Sequence, residues 1–266
     1  MTIEPTLAPA LSDPDLGAFL ADIAEEAARL ILPLWKSGLT VSAKADESPV
    51  TEADRRAEAL ILMRLGKWFP DTPVVSEEYT SDFGAPGAIA ACFFLVDPLD
   101  GTKAFVRGDP NFTVNIALIA DGRAVAGAVT APVTRETWHT GDGGAFKRTI
   151  GQNDTRLVKA RPWAGPEAVA LVSHTMKPEA LAALKSEFGV NHTEPMDSSI
   201  KMCRIAEGAA DIYPRRGPTM EWDIAAGQAV LEAAGGRLTA PDGAPFLYGK
   251  CSEGFRNGQF IARGAP

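Results

Sequence analysis

The 266-residue chain predicts a mixed fold, with an α+β first half (residues 1–150) and an α/β second half (151–266). Two helical patterns open the chain and are followed by alternating apolar segments joined by tight-turn residues, which reads as an antiparallel meander. Past residue 150 strand and helix patterns alternate, the signature of an α/β unit. No internal repeat or flexible linker separates the halves, so they are expected to pack as two lobes with a cleft between them.

Asp13-Pro14-Asp15 reads as a helix start, a capping residue followed by proline at the first helical position. Leu16, Phe19, Leu20, Ile23, Ala27, Leu30, Ile31 and Leu34 then recur at helical spacing until Pro33 ends the pattern. After a polar stretch, Thr51 is expected to cap a second helix that carries Asp54 in its first turn. Its apolar stripe is Leu60, Ile61, Leu65 and Trp68, and Pro70 stops it. Pro73-Val74-Val75 is a short strand running into Ser76-Glu77-Glu78. Cys92–Val96 is an unbroken apolar run, expected to be a buried strand that ends at Asp97-Pro98. Residues 112–118 alternate, Asp121-Gly122 marks a two-residue hairpin, and residues 123–130 return. Further strands are expected at 135–140 and 144–147.

In the second half the expected elements are a strand at 169–172 and a helix from Pro178 to Phe188. A second helix follows from Ser198 to Glu207, then a strand at 211–213. Asp223 is expected to cap a last helix that Gly235-Gly236 stops, before late strands at Leu238 and Phe260-Ile261.

Lys and Arg total 26 against 34 Asp and Glu, a net charge of -8. This balance, with no interleaving of aromatic and basic residues, argues against a nucleic-acid-binding role. The three cysteines, Cys92, Cys203 and Cys251, are far apart and read as free thiols in a reducing compartment. No apolar run approaches the roughly 20 residues that span a bilayer. Met1–Pro14 lacks the basic region of a signal peptide and reads as a frayed start. The expected location is the cytoplasm, with peripheral contact at the inner membrane left open.

The densest chemical signal is Asp97-Pro98-Leu99-Asp100-Gly101-Thr102. Two carboxylates and the Leu99 carbonyl on one turn suit magnesium, a hard ion that takes oxygen ligands in near-octahedral geometry. Gly101 lets backbone N–H groups approach an anion. By spacing alone an ordinary acidic turn is the favoured reading, since Asp-Pro and Asp-Gly are common turn dipeptides. Glu77 could lie in a solvated loop, and Asp54 could simply favour a helix N-terminus. His139, His174 and His192 show no metal-ligand spacing, and no serine elbow, cysteine–histidine signature or P-loop is present.

Taken together and in order, these segments resemble the inositol monophosphatase family. Asp97–Thr102 and Glu221-Trp222-Asp223-Ile224-Ala225-Ala226-Gly227 are similar to its two signatures. Ser48-Pro49-Val50-Thr51-Glu52-Ala53-Asp54 and Val74-Val75-Ser76-Glu77-Glu78 are similar to two upstream motifs. The resemblance covers roughly residues 15 to 262. It implies a layered α-β-α-β-α sandwich of the inositol monophosphatase and fructose-1,6-bisphosphatase type. It implies a lithium-sensitive phosphatase using two or three magnesium ions. Glu77, Asp97, the Leu99 carbonyl, Asp100 and Asp223 would hold them. Asp54 and Thr102, with Glu77, would be catalytic by orienting and deprotonating the attacking water, and Gly101 and Thr102 would contact the phosphate.

Within the family the chain resembles the bacterial 3′(2′),5′-bisphosphate nucleotidases. Asp100-Gly101-Thr102-Lys103 followed by Phe105 is similar to their Asp-Gly-Thr-Lys-Glu-Phe, with Ala104 in place of glutamate. Phe112–Ile119, Ser198-Ser199-Ile200-Lys201 and Ala210–Thr219 also match that branch. The resemblance implies a small nucleotide substrate, 3′-phosphoadenosine 5′-phosphate, with 3′-phosphoadenylyl sulfate as a second. His174, Ser198, Lys201 and Arg215 are then substrate-binding candidates. A second phosphate favours arginine, whose planar fork fits phosphate oxygens. The chain is expected to act as a monomer or homodimer. The rival readings are an inositol, sugar or histidinol phosphate substrate, and a metal-binding regulatory protein without turnover.

Overall fold

The computed structural model describes residues 15–35, 41–43, 49–152 and 154–266. The expected cap at Asp13-Pro14, the start of the chain and much of 33–48 lie outside the described residues. Helix α1 (Leu16–Ile31) runs into a 3-10 turn at Leu32–Leu34 that contains Pro33. Strands β1 (Val41–Ala43) and β2 (Pro49–Thr51) pair antiparallel. Then come α2 (Glu52–Trp68), β3 (Val74–Ser76), α3 (Glu77–Phe83), β4 (Cys92–Asp100) and the short α4 (Thr102–Arg107). The meander follows as β5 (Thr113–Ala120), β6 (Arg123–Ala131), β7 (Glu136–Gly141), β8 (Gly144–Thr149) and β9 (Thr155–Val158). Strands β3 to β9 form one seven-stranded sheet in chain order. Among the described residues only the β3–β4 pair in it is parallel. The sheet thus runs past residue 150.

The second half contributes β10 (Val169–Val172), α5 (Pro178–Phe188), β11 (His192–Pro195), α6 (Ile200–Ala206) and β12 (Ile212–Arg215). It continues through β13 (Thr219–Met220), α7 (Glu221–Ala233), β14 (Arg237–Thr239), β15 (Arg256–Asn257) and β16 (Phe260–Arg263). Its five-stranded sheet has the order β11-β10-β12-β16-β14, while β13 and β15 pair separately.

Alternation along the strands sorts side chains into layers. Phe94, Val96, Ile116 and Leu118 face α1 and α2 through Leu20, Ile23, Ala27, Ile61 and Leu65. Their neighbours Phe93, Leu95, Ala117 and Ile119 face the opposite way. There they share a core with Met202 and Ile205 of α6, Val230 and Leu231 of α7, and Leu171, Tyr213 and Phe260 of the second sheet. The outer face of that sheet, with Ala170, Val172 and Ile212, packs under Leu184 of α5. The order is α-β-α-β-α, as the resemblance implies. Because both faces of the large sheet are covered, Cys92–Val96 reads as a continuous apolar run.

Several boundaries differ from the sequence expectation. Strand β4 does not stop at Val96 but continues to Asp100, with a register irregularity between Asp97 and Asp100 where Pro98 cannot donate. Helix α6 starts at Ile200, because Ser198 takes a left-handed conformation (φ 58°). Helix α7 starts at Glu221, so Asp223 is its third residue and not its cap; its Oδ2 reaches back to accept the Met220 N–H at 2.8 Å. Strand β12 starts at Ile212, and Asp211 instead pairs with Arg161. Trp68 is 58% exposed and packs edge-on against Phe19 at the end of α2. Glu77 and Glu78 open a helix, not a loop. Strands β9 and β11 and helix α4 had no expected counterpart; at four to six residues each they are too short to show a periodic pattern.

Helix α7 approaches β6 at Gly127, where an added Cβ would lie 2.9 Å from Ala226 Cα and 3.0 Å from its carbonyl oxygen. Gly127→Val is therefore expected to destabilise the protein by roughly 1–3 kcal/mol, the usual cost of overpacking. Urea denaturation checks this. An unchanged midpoint would mean that helix and sheet do not lie this close.

Candidate active site

The mouth of the middle layer is a cleft of about 450 Å³, floored by the end of β4 and the start of α7. Glu77, Asp97, Leu99, Asp100, Gly101, Thr102, Ser198, Lys201, Arg215 and Asp223 all line it. Each arrives by a different route. Asp97 and Asp100 sit on the irregular end of β4, where the two unpaired positions bring both carboxylates to one side. Leu99 N–H donates to Asp97 Oδ1 at 3.0 Å and tightens that turn. Glu77 stands at the first turn of α3, directly after β3, which lies beside β4. Asp223 comes from the second half, in the first turn of α7.

Gly101 has φ 97°, a left-handed conformation that side chains avoid, and a Cβ there would meet the Asn111 carbonyl oxygen at 3.0 Å. It turns the chain from β4 into α4 and places Thr102 behind the carboxylates. Thr102 Oγ1 lies 3.2 Å from Asp54 Oδ1 and 3.2 Å from the Leu99 carbonyl oxygen. Asp54 is fully buried on α2. The hydroxyl therefore connects that carboxylate to the β4 turn.

Ser199 joins the halves. Its N–H donates to Asp100 Oδ2 at 2.6 Å, and its hydroxyl lies 3.0 Å from the same oxygen and 2.5 Å from the Asp223 carbonyl oxygen. Asn115 Nδ2 donates to the Ser199 hydroxyl at 2.9 Å from β5. The sequence assigns neither Ser199 nor Asn115 a role of its own, although both lie in segments, Ser198–Lys201 and Phe112–Ile119, that match the resemblance.

The carboxylates repel one another. Burial pushes Asp97 well above the usual carboxylate range, and the charges of Glu77, Asp100 and Asp223 push it further. Burial and the Asp100 charge raise Asp223 in the same way. Burial also raises Asp100, although Lys201 and the Ser199 bonds pull it back. The amine of Lys201 is itself pushed down to about 8 by burial, against the attraction of Asp100. An all-oxygen donor set that carries excess negative charge fits a hard divalent cation.

The cationic candidates separate. Lys201 Nζ donates to the Ser198 carbonyl at 2.8 Å and the Met196 carbonyl at 3.1 Å, and lies over the Tyr213 ring. It braces the loop before α6 as well as lining the cleft. Arg215 Nη2 donates to the Pro218 carbonyl at 3.3 Å, while its buried Nε has no hydrogen-bond partner among the described residues. The next residue in the chain, Arg216, turns away from the cleft and pairs with Glu187. His174 does not line the cleft, although Ser173 and Thr175 on either side of it do. It is exposed at the rim with Asp109 and Asp197, one ligand atom of each lying within 4.8 Å of the others. That set carries its own cation, since Arg107 Nη2 is 3.2 Å from Asp197 and 3.9 Å from Asp109.

A layered sandwich with carboxylates from both halves converging on one cleft is the architecture of a metal-dependent phosphatase. The chain belongs to the inositol monophosphatase family, whose pattern matches residues 15–263. That family is magnesium-dependent in general. The chain is 42% identical over 196 residues to the 3′(2′),5′-bisphosphate nucleotidase CysQ of Salmonella typhimurium, covering 73% of this chain and 77% of that protein. It is 34% identical over 240 residues to the histidinol-phosphatase of Mycobacterium tuberculosis, covering 88% and 89%. Among solved structures, CysQ of Bacteroides thetaiotaomicron superposes with a TM-score of 0.77 at 33% identity, over 96% of this chain and 99% of that one.

Replacing one of the repelling carboxylates should relieve the cleft when no divalent ion is present. In EDTA at neutral pH, Asp97→Asn is expected to stabilise the protein by roughly 0.5–2 kcal/mol, the usual size of gain from one improved charge placement. Thermal unfolding would show the gain, and added magnesium should raise the wild-type midpoint more than that of the variant. A variant less stable than wild type in EDTA would contradict the repulsion.

Proposed function

We propose that this chain is a magnesium-dependent 3′(2′),5′-bisphosphate nucleotidase that converts 3′-phosphoadenosine 5′-phosphate to AMP and phosphate. The 3′-phosphoadenylyl sulfate donor is a second substrate. The observation that carries this reading is the pairing, in one cleft, of a buried carboxylate cluster with Arg215, whose buried Nε has no partner among the described residues. The carboxylates suit the metal end of the reaction, and the arginine suits a second anionic group on the substrate. The CysQ relatives support the same assignment.

Glu77, Asp97, the Leu99 carbonyl, Asp100 and Asp223 would hold two or three magnesium ions. When bound, magnesium neutralises the phosphate charge and makes water a better nucleophile. The residues of the chain do the rest. Asp54 holds the Thr102 hydroxyl so that the pair accepts a proton as water adds to phosphorus. The P–O bond to the 3′-oxygen breaks, and that oxygen takes up a proton as it leaves. The first-turn N–H groups of α4, which have no partner within the helix, would donate to the phosphate oxygens. Gly101 leaves room for that approach. Arg215 fixes the far phosphate, and Lys201 keeps Ser198 and the loop in place while adding positive charge. No covalent phosphoenzyme is needed, because positioning and charge neutralisation suffice. The reading places the enzyme in the cytoplasm. Among the described residues no helix is long and apolar enough to cross a membrane.

Phosphate release from 3′-phosphoadenosine 5′-phosphate, inositol 1-phosphate and histidinol phosphate, compared at equal concentration with magnesium, tests the assignment. The nucleotide is expected to lead in kcat/KM by at least about tenfold, or 1.4 kcal/mol. Arg215→Ala should erase most of that lead while leaving slow turnover of the monophosphates. If histidinol or inositol phosphate leads in the wild type, the substrate and the role of Arg215 are wrong.

A further inference from the structure

Helix α3 begins with Glu77, yet the residue at its cap position does not cap it. Among the described residues Ser76 makes no side-chain capping bond, and its buried hydroxyl has no hydrogen-bond partner. The first-turn donors go elsewhere. The N–H of Glu78 donates to Glu58 Oε1 at 3.0 Å, and the N–H of Tyr79 donates to the same oxygen at 3.1 Å. Glu58 belongs to α2 and is only 8% exposed. A carboxylate from a neighbouring helix thus stands where a capping side chain would, and its negative charge meets the positive end of α3.

Glu58 lies four residues after Asp54, so both project from the same face of α2. Asp54 reaches the Thr102 hydroxyl and the β4 turn. One face of one helix therefore fixes two parts of the cleft: the carboxylate behind Thr102 and the start of the helix that presents Glu77. A short α3 cannot define its own first turn, because four N–H groups at a helix start have no partner within it. Without Glu58 the buried N–H of Glu78 and the partly buried N–H of Tyr79 would lose their acceptor, and the first turn carrying Glu77 would be free to shift.

We infer that Glu58 is a positioning residue for the metal site: by capping α3 from α2 it sets where the Glu77 carboxylate stands relative to Asp97. It touches neither substrate nor metal. The inference rests on the reading of Glu77 as a metal ligand, and the experiment separates the two. Full-length wild type, Glu58→Ala, Glu58→Asp, Glu58→Gln and Glu77→Gln are titrated with Mn2+ and free ion is followed by electron paramagnetic resonance. Thermal midpoints in EDTA are measured in parallel.

Glu58→Ala is expected to weaken Mn2+ binding about 10–100-fold, the usual effect of losing a partner that orients a ligand. Glu58→Gln keeps an acceptor oxygen at the same reach and should bind within a few-fold of wild type. If Glu58→Ala does not fold, the shorter Glu58→Asp carries the test and should also bind more weakly. A purely structural role would lower the thermal midpoint and leave Mn2+ affinity of the folded protein unchanged, and that result overturns the inference. So would a glutamine variant as weak as alanine. If Glu77→Gln binds Mn2+ like wild type, the ligand assignment fails instead, whatever Glu58 does.

Discussion

The Ser199 N–H meets Asp100 Oδ2 at 2.6 Å, and across this contact the two halves of the chain become one site. Asp100 ends a strand of the large sheet; Ser199 precedes a helix of the middle layer. The same serine hydroxyl touches the Asp223 carbonyl and accepts from Asn115. Four segments from both halves are thereby locked around one oxygen. The arrangement holds together carboxylates that would otherwise separate, since burial and mutual repulsion both act against their charges. The rigidity of the surrounding layers is what keeps them in place.

That rigidity comes from a shared middle layer. Helices α6 and α7 bury residues against both sheets, so beside the outer cores under α1, α2 and α5 a third core is shared by the two halves. Close contact at Gly127 presses α7 on the large sheet, and Met202 packs against Gly227 to bring α6 and α7 together. Glu221, fully buried beside Asp223 in the first turn, accepts the N–H groups of Gly249 and Lys250 and pairs with the Lys250 amine. It anchors the start of the helix that carries Asp223. On the far side, Glu207 and Glu136 pair with Lys147 and Arg204 and tie α6 to the meander. Buried charges are satisfied there by opposite charges, whereas in the cleft they are left in excess of one sign. That contrast marks the cleft as a site for a ligand.

Much of this was legible in the chain. Pro178–Phe188 and Val169–Val172 are set by local patterning, and their limits match the expected ones. The Asp121-Gly122 hairpin follows because both residues take positive φ (48° and 74°), as the turn requires. Asp97, Asp100, Glu77 and Asp223 were singled out by motif, and all line the same cleft. The errors have local causes. Asp223 resembles an N-cap because it bonds a first-turn N–H, but it does so from the third helical position. The Ser198 helix start failed at a left-handed residue that periodicity does not register. Strand β11 contains His192, Thr193, Glu194 and Pro195, and only its pairing with β10 makes it a strand.

The sequence by itself determined the order of elements, the two-faced burial of the central strands and the kinds of side chain available for chemistry. Spacing and polarity are local properties, and they are enough for that. Only the tertiary structure decided which of those side chains meet. Lys201 could have pointed its amine wholly at the cleft but braces two backbone carbonyls, and His174 sits at the rim while its neighbours face inward. Glu58 looks like any helical surface glutamate in the sequence, yet its carboxylate caps another helix because α2 packs beside α3. Hydrogen-bond partners of buried groups are chosen by what the fold brings within about 3 Å. That distance depends on contacts between segments far apart in the chain, which no local pattern records.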